Sequence, residues 1–309
     1  MNEIVPAALD GERIDRVVAL LTGLARSQVV RLVDEGEVHL NGRPVTVRSR
    51  RVQAGELLAV EVPGEHSPAA PLPDPDVPVQ VVHADQDVIV VNKPPGLVVH
   101  PGAGHERGTL VNGLLAEFPD LADAGVSNVR PGIVHRLDKG TSGLLVVART
   151  ASARDSLVQQ LHDRQVEREY AALVWGSVEA GSGLIDAPLG RAEANPTRVA
   201  IRSGGKAART RYRVDRRFTS PVAASLLDCR LETGRTHQIR VHLAAIGHAV
   251  VGDLQYGGRQ WPAGLPRLAR GRVWLHARRL SFEHPATGDR VTFTAALPGD
   301  LESVLAALS

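Results

Sequence analysis

Apolar positions in the first sixty residues follow a helical spacing and then a strand-like one. Between Glu12 and Leu21, Ile14, Val17, Val18 and Leu21 fall on one helical face. Ser27 is placed to cap a second helix running to about Glu35, with Val29, Val30, Leu32 and Val33 inward and Gly36 ending it. Val38 and Leu40 lead into Asn41-Gly42, a pair that tolerates the positive φ of a tight hairpin turn, and a return strand follows over 44–47. Residues 57–62 add one more strand. The pattern predicts a compact module over residues 1–63, two helices followed by a small sheet.

The pattern then breaks. Residues 64–78 contain Pro68, Pro71, Pro73, Pro75 and Pro78, and read as an extended, semi-rigid linker to a second domain over 79–309. That domain opens with β-branched runs at 79–83 and 87–91, two strands, followed by the turn signal Pro94-Pro95-Gly96. Further periodicity predicts helices over 109–118 and 151–166 and strands over 169–175 and 225–231. A helix capped by Thr236 is expected from near His237 to Gly247, with Ile239, Leu243 and Ile246 as its apolar stripe. Strands over 274–282 and 290–295 and a closing helix over 301–308 complete the chain. Residues 190–217 are looser and read as a hairpin or loop.

Composition narrows the class without naming a function. With 309 residues, 43% hydrophobic and 23% charged, the chain has the make-up of an ordinary soluble protein with room for two domains. No apolar run is long enough to cross a bilayer, and the N-terminus lacks the regions of a signal peptide, so a cytoplasmic location is expected. The single cysteine, Cys229, excludes an internal disulfide and a multi-cysteine zinc site, and inside an apolar strand it reads as a small buried hydrophobe. His237 and His242 are five apart rather than four, no Gly-rich loop ends in Lys-Ser or Lys-Thr, and Ser142 sits in Thr-Ser-Gly. No metal, nucleotide or other cofactor is expected.

The net charge of +2 is too small to indicate a polyanionic partner, so its distribution matters more. Residues 1–63 carry eight arginines against nine carboxylates, and the module as a whole is not basic. Its arginines nonetheless cluster on the second helix and the turn beyond. The interval 190–217 is strongly basic, with Arg198, Lys206 and Arg209 among its cations. Either cluster fits a phosphate-binding surface or a solvated face.

The densest chemistry lies in His135-Arg136-Leu137-Asp138-Lys139-Gly140, directly before the apolar run over 144–148. That run contains nothing that prefers water, as in a strand buried on both faces. A carboxylate flanked by Arg136 and Lys139 at the lip of a buried strand can stay ionised while water is largely excluded, a setting for an anionic nucleophile. A turn in which Asp138 accepts backbone N–H bonds, or pairs with an arginine, explains the same run. Arg240, in the first turn of its helix, sits at the positive end of the dipole and calls for a carboxylate partner.

Longer stretches carry a family resemblance. "RIDRVVALL", "ARSQVVRLVDEGEVHLNGRPV" and "VQAGELLAVEVP" resemble the RNA-binding module of ribosomal protein S4. "NKPPGLVVHP" at 92–101, "HRLDKGTSGLLVVA" at 135–148, "REYAALVWG" at 168–176 and "TGRTHQIRVHLAAIGHAVVGD" at 233–253 resemble the RluA/RluD family of RNA pseudouridine synthases. The resemblance covers residues 79–297 in order and spacing. It implies an α+β fold, with a mixed, mainly antiparallel central sheet, flanking helices and loops, and a small N-terminal α/β RNA-binding domain. It implies that Asp138 is the catalytic aspartate, that Tyr170 packs against the target base, and that Arg240 pairs with Asp138. Arg136 would take the place of a flipped nucleotide. Arg26, Arg31, Arg43, Arg48, Arg50 and Arg51 are the implied phosphate contacts, with Lys93, His135, Arg198, Lys206 and Arg209 expected on the RNA-binding surface. His135 reads as a hydrogen-bonding partner rather than an acid or base. Gly140 departs from the family, whose members often carry an acidic residue there, which affects the fine positioning of Asp138.

The chemistry implied is the isomerisation of uridine in structured RNA, most naturally large-subunit ribosomal RNA, by a monomer. It consumes no redox cofactor or nucleoside triphosphate, because no atoms are gained or lost. Transfer RNA is the other RNA class to weigh. Among other classes, a glycoside hydrolase needs a second carboxylate acting as acid, and Asp138 has no convincing partner for that role. A non-catalytic RNA-binding or ribosome-assembly factor would use the same basic surfaces, but has no need of aspartate, tyrosine and arginine together.

Overall fold

A computed structural model describes the chain except for residues 25, 62–69, 103–106, 124–129, 193–194, 196–197 and 259–260 and the side chains of residues 26 and 27. Two compact units are present, Met1–Ala69 and Ala70–Ser309.

In the first unit, helices α1 (Ile14–Thr22) and α2 (Arg26–Glu35) precede most of a four-stranded antiparallel sheet. Its strands are β1 (Asn2–Ile4), β2 (Val38–Leu40), β3 (Arg43–Pro44) and β4 (Leu57–Val60), in the order β1-β4-β2-β3. Asn41 and Gly42 both take positive φ, 52° and 76°, as the β2–β3 turn requires. The apolar faces of both helices close on Val38, Leu40, Leu58 and Val60. Strand β1 has no signature in the sequence, since all three of its residues are exposed and it is too short to alternate.

The second unit is built on a nine-stranded sheet, flanked by α3 (Leu110–Glu117), α4 (Ala151–His162), α5 (Gln238–Ala245) and α6 (Gly299–Ala306). Its strands include β5 (Val81–Ala84), β6 (Val88–Lys93), β7 (Ser142–Ala148), β8 (Glu167–Trp175) and β9 (Ser182–Asp186). A separate hairpin of β10 (Leu189–Arg191) and β11 (Val199–Ile201) precedes β12 (Arg209–Phe218), β13 (Ala224–Leu231), β14 (Leu275–Glu283) and β15 (Arg290–Thr294). The order is β5-β6-β7-β14-β8-β13-β12-β9, with β15 on β14, and β7–β14 is the one parallel pairing among the described strands. The fold is therefore α+β with a mixed, mainly antiparallel sheet. Residues 70–78 belong to this unit: Asn112 of α3 donates to the Leu72 carbonyl at 2.7 Å and accepts at its own carbonyl from the Asp74 N–H at 2.9 Å.

Two features position the site. Strand β7 is buried at every residue, so its N-terminal end is fixed by core packing on both faces. It touches β14 only at Ser142 and Gly143, and Gly143 takes φ +114°, where a Cβ would lie 2.3 Å from the Ala277 carbonyl oxygen. Only glycine permits that approach. Second, the basic interval read as a hairpin or loop forms the β10–β11 hairpin and then, from Arg209 onward, a sheet strand. Thr210, Tyr212 and Val214 alternate with Arg209, Arg211 and Arg213, a period of two overshadowed by the charge. Helix α5 begins at Gln238, and its N-cap is His237 at φ 56°, not Thr236.

Candidate active site

Asp138 sits four residues before β7, in a loop held from two sides. The buried Lys93 donates to the carbonyls of Pro94 (2.8 Å), Leu97 (2.9 Å) and Lys139 (3.5 Å), while the Gly96 N–H donates to Lys139 at 2.7 Å. From the other side, Arg272 donates to the Gly140 carbonyl at 2.8 Å and the Ser142 hydroxyl at 2.9 Å, and pairs with Asp300 at 2.7 Å. Two buried basic side chains thus fix the backbone beside the carboxylate. Gly140 is part of the same packing, since a Cβ there would lie 2.1 Å from the Gly271 carbonyl oxygen. A side chain of any kind has no room at this position.

Asp138 is partly buried and accepts from Arg240 Nη1 at 3.2 Å. Arg240 is itself locked: its Nε and Nη2 donate to Asp253 at 2.7 and 3.0 Å, and Nη2 also reaches Gln255 at 3.3 Å. Its guanidinium lies 5.1 Å from the Tyr256 ring centre. Burial alone would lower the Arg240 pKa, but Asp253 and then Asp138 reverse that, and the net shift is upward. The arginine at the positive end of α5 has two carboxylate partners, and Asp253 is the stronger.

His237 Nε2 lies 3.9 Å from the other Asp138 oxygen, and its Nδ1 meets the Tyr256 hydroxyl at 2.9 Å. Burial, only partly opposed by Asp138, lowers its pKa, so the ring is neutral at pH 7. Gln238 holds the preceding turn, accepting from Thr233 Oγ1 (2.7 Å) and the Arg235 N–H (3.0 Å) and donating to the Arg209 carbonyl and Thr210 hydroxyl, each at 3.0 Å.

Tyr170 lies in the middle of β8, opposite Cys229 of β13 and Ala277 of β14. Burial raises its hydroxyl to about 12, against a smaller opposing effect of Arg168, so it stays protonated at neutral pH. Asp138, Tyr170, Arg240, His135 and Arg136 all line one cleft of about 600 Å³, with His237, Gln238 and Arg168 on the same walls. Of these, Arg136 is exposed.

Other expected contacts fall elsewhere. Lys93 is a correction: its side chain is buried and hydrogen-bonds to backbone carbonyls, so it anchors the Asp138 loop and offers no surface to RNA. Burial, helped by Arg272 and opposed by Asp138, lowers its pKa to about 7. Arg209 lies outside the cleft lining and is paired with Asp186 (3.1 Å) and Glu232 (3.0 Å). Arg198 is exposed and stacks 5.0 Å from the Tyr256 ring centre, while Lys206 is exposed beside the β10–β11 hairpin. In the first unit, Arg43 and Arg50 are exposed; Arg31 pairs with Glu35 at 3.7 Å, Arg48 with Asp34 at 2.5 Å, and Arg51 donates to the Gly11 carbonyl at 2.6 Å. The side chain of Arg26 lies outside the described residues.

A family model described as RNA pseudouridylate synthase matches residues 87–245, which contain Asp138, Tyr170 and Arg240, and an S4 domain model matches residues 12–58. The chain belongs to the RNA pseudouridine synthase family. It is 42% identical to a ribosomal large subunit pseudouridine synthase D of Vibrio parahaemolyticus, over 96% of this chain and 91% of that protein. It is also 42% identical to an uncharacterized RNA pseudouridine synthase, YlyB, of Bacillus subtilis, over 99% and 98% of the two chains. Among solved structures, human RNA pseudouridylate synthase domain containing 1 superposes with a TM-score of 0.57 at 28% identity, covering 77% of this chain and 90% of that one. The synthase is an isomerase. Asp253, Tyr256 and Arg168 also belong to the site. Asp253 closes the last of the quoted motifs, and Arg168 opens the "REY" motif, so both were in view without a signal of their own.

Proposed function

We propose that this synthase converts uridines of large-subunit ribosomal RNA to pseudouridine, with Asp138 as the reacting carboxylate, acting as a cytoplasmic monomer. The observation that carries the reading is the Asp253–Arg240–Asp138 chain, in which Arg240 and Asp138 line a cleft that also contains Tyr170. Asp253 locks the guanidinium, which leaves one N–H edge to orient Asp138. An ionised carboxylate, partly shielded from water beside an aromatic face, is what cleavage of a glycosidic bond at a sugar carbon needs. The rRNA assignment draws on the name of the Vibrio relative.

The other roles follow from placement. Tyr170, neutral at pH 7, offers its ring to the uracil. A uridine stacked in RNA must first be everted, at a cost of a few kcal/mol in order of magnitude, and the exposed Arg136 offsets this by occupying the vacated position. Arg43 and Arg50 of the S4 domain meet phosphates directly, and Arg31, Arg48 and Arg51 do so by exchanging exposed partners that hold them weakly. Arg198, exposed in the second unit, is a further phosphate contact.

Asp138→Asn tests the reading. With purified ribosomal RNA, pseudouridine formation is expected to fall to background while RNA affinity is largely kept. A variant that still isomerises uridine would remove Asp138 from the reaction. A wild-type chain that binds ribosomal RNA without forming pseudouridine would favour a binding or assembly role.

A further inference from the structure

Three arginines in the described residues are buried: Arg168, Arg240 and Arg272. Two have carboxylate partners, Arg240 in Asp253 and Asp138, and Arg272 in Asp300. Arg168 is different. It is 7% exposed, its Nε is buried without a hydrogen bond, and it has no ion pair among the described residues. A guanidinium keeps its proton inside proteins, so the fold retains a buried positive charge with nothing to neutralise it, a costly arrangement.

Its surroundings repeat the condition. His135 Nδ1 and Thr141 Oγ1 are also buried without a partner, and both line the same cleft as Arg168. His135 Nε2 accepts the Val146 N–H at 3.2 Å, which puts the ring hydrogen on Nδ1. Burial and the charge of Arg168 hold this imidazole neutral, with a pKa of about 3. The remaining buried atoms without a hydrogen bond, Arg209 Nε and Asp228 Oδ1, are in ion pairs with Asp186 and Arg278. The unpartnered buried donors therefore gather on the wall of one cleft. Arg168 and Tyr170, two apart on β8, emerge on the same face of the sheet. Across from them, a Cβ on Gly234 would lie 2.7 Å from Arg168 Nη1, so the loop after β13 packs directly on the guanidinium.

We propose that Arg168, assisted by the Nδ1–H of His135, receives a carbonyl oxygen of the target uracil and stabilises the negative charge that grows there as the base departs. This rests on the isomerase reading. Breaking the N1–C1′ bond sends its electron pair to the base, whether Asp138 attacks C1′ or removes the C2′ proton. The detached uracil is then an anion with charge spread over O2 and O4. When C5 attacks C1′ a new bond forms, Asp138 is released or returns the proton to C2′, C5 loses its proton and N1 gains one. Atoms and electrons balance without a co-reactant. A positive charge left bare in the resting protein, and matched only when the bond breaks, favours the transition state over the ground state.

The test compares wild type with Arg168→Met on a large-subunit rRNA fragment carrying either uridine or 5-fluorouridine at the modified position. Fluorine makes the base a better leaving group, less dependent on outside stabilisation. Single-turnover glycosidic cleavage of the uridine fragment is expected to fall about 10²-fold or more, with RNA affinity unchanged. The loss on the fluorinated fragment is expected to be clearly smaller. The melting temperature is expected to hold or rise, because an unpartnered buried charge has been removed. Equal losses on both fragments, or an unchanged rate, would overturn the proposal. So would weakened binding with a salt slope smaller by about one, which would assign Arg168 to a phosphate. Wild-type chain inactive on both fragments would instead sink the isomerase reading beneath it.

Discussion

Asp253 does for Arg240 what Arg240 does for Asp138. Because the Asp253 side chain is fully buried and takes two guanidinium donors, it sets the angle of the arginine and balances its charge. Asp253→Asn leaves a buried guanidinium without its main counter-charge, and a loss of about 3–5 kcal/mol in unfolding free energy is expected from urea titration. Turnover should fall with it, because Nη1 no longer holds Asp138 in place. A variant as stable and as active as wild type would mean that Asp253 carries no such role. At this scale the sequence was informative about residue type and silent about partnership. The position of Arg240 at a helix start called for a carboxylate, yet nothing local indicated that two would converge, 102 and 13 positions away. Lys93 shows the reverse, since a lysine in a motif near the site looks like a phosphate contact until burial turns it inward.

Loops and strands carry the next level of constraint. The 138–141 loop depends on Lys93, and the pH dependence of stability reports on it. With a folded pKa of about 7 against an ordinary 10.5, Lys93 binds fewer protons in the folded chain than in the unfolded one between those values. Its contribution to stability therefore rises as pH increases from about 7. Cys229 and Tyr170, both raised to about 12 by burial, act in the opposite direction once their unfolded forms ionise, above about pH 8.5. Urea unfolding between about pH 7 and 8.5 is thus expected to show a positive slope that Lys93→Met flattens; an identical slope in the variant would place the titration elsewhere. Gly140→Ala tests the packing of the same loop. Its Cβ would press on the Gly271 carbonyl, and a loss of about 1–3 kcal/mol is expected in the same measurement. Elements with a clear apolar period, such as α1, β7 and β13, were legible from the chain alone. Strand β12 was not, because its outward arginines, answered by Asp186, Glu232 and Asp228, masked the alternation of Thr210, Tyr212 and Val214.

At the scale of the whole molecule, the proposed roles assign recognition and chemistry to separate units. Arg43 and Arg50 are exposed in the first unit, and Asp138, Tyr170 and Arg240 all lie in the second. Replacing both arginines with alanine is expected to weaken rRNA binding and reduce the salt slope of log K by up to about two, leaving the bound turnover rate unchanged. A change in turnover without a change in slope would contradict that division. The most direct measurement is a map of pseudouridine in ribosomal RNA from cells lacking the gene, complemented with wild type or with Asp138→Asn. Specific large-subunit positions are expected to lose pseudouridine, regain it with wild type, and stay unmodified with the variant. Restoration by the variant, or a large-subunit map unchanged by loss of the gene, would contradict the proposed function.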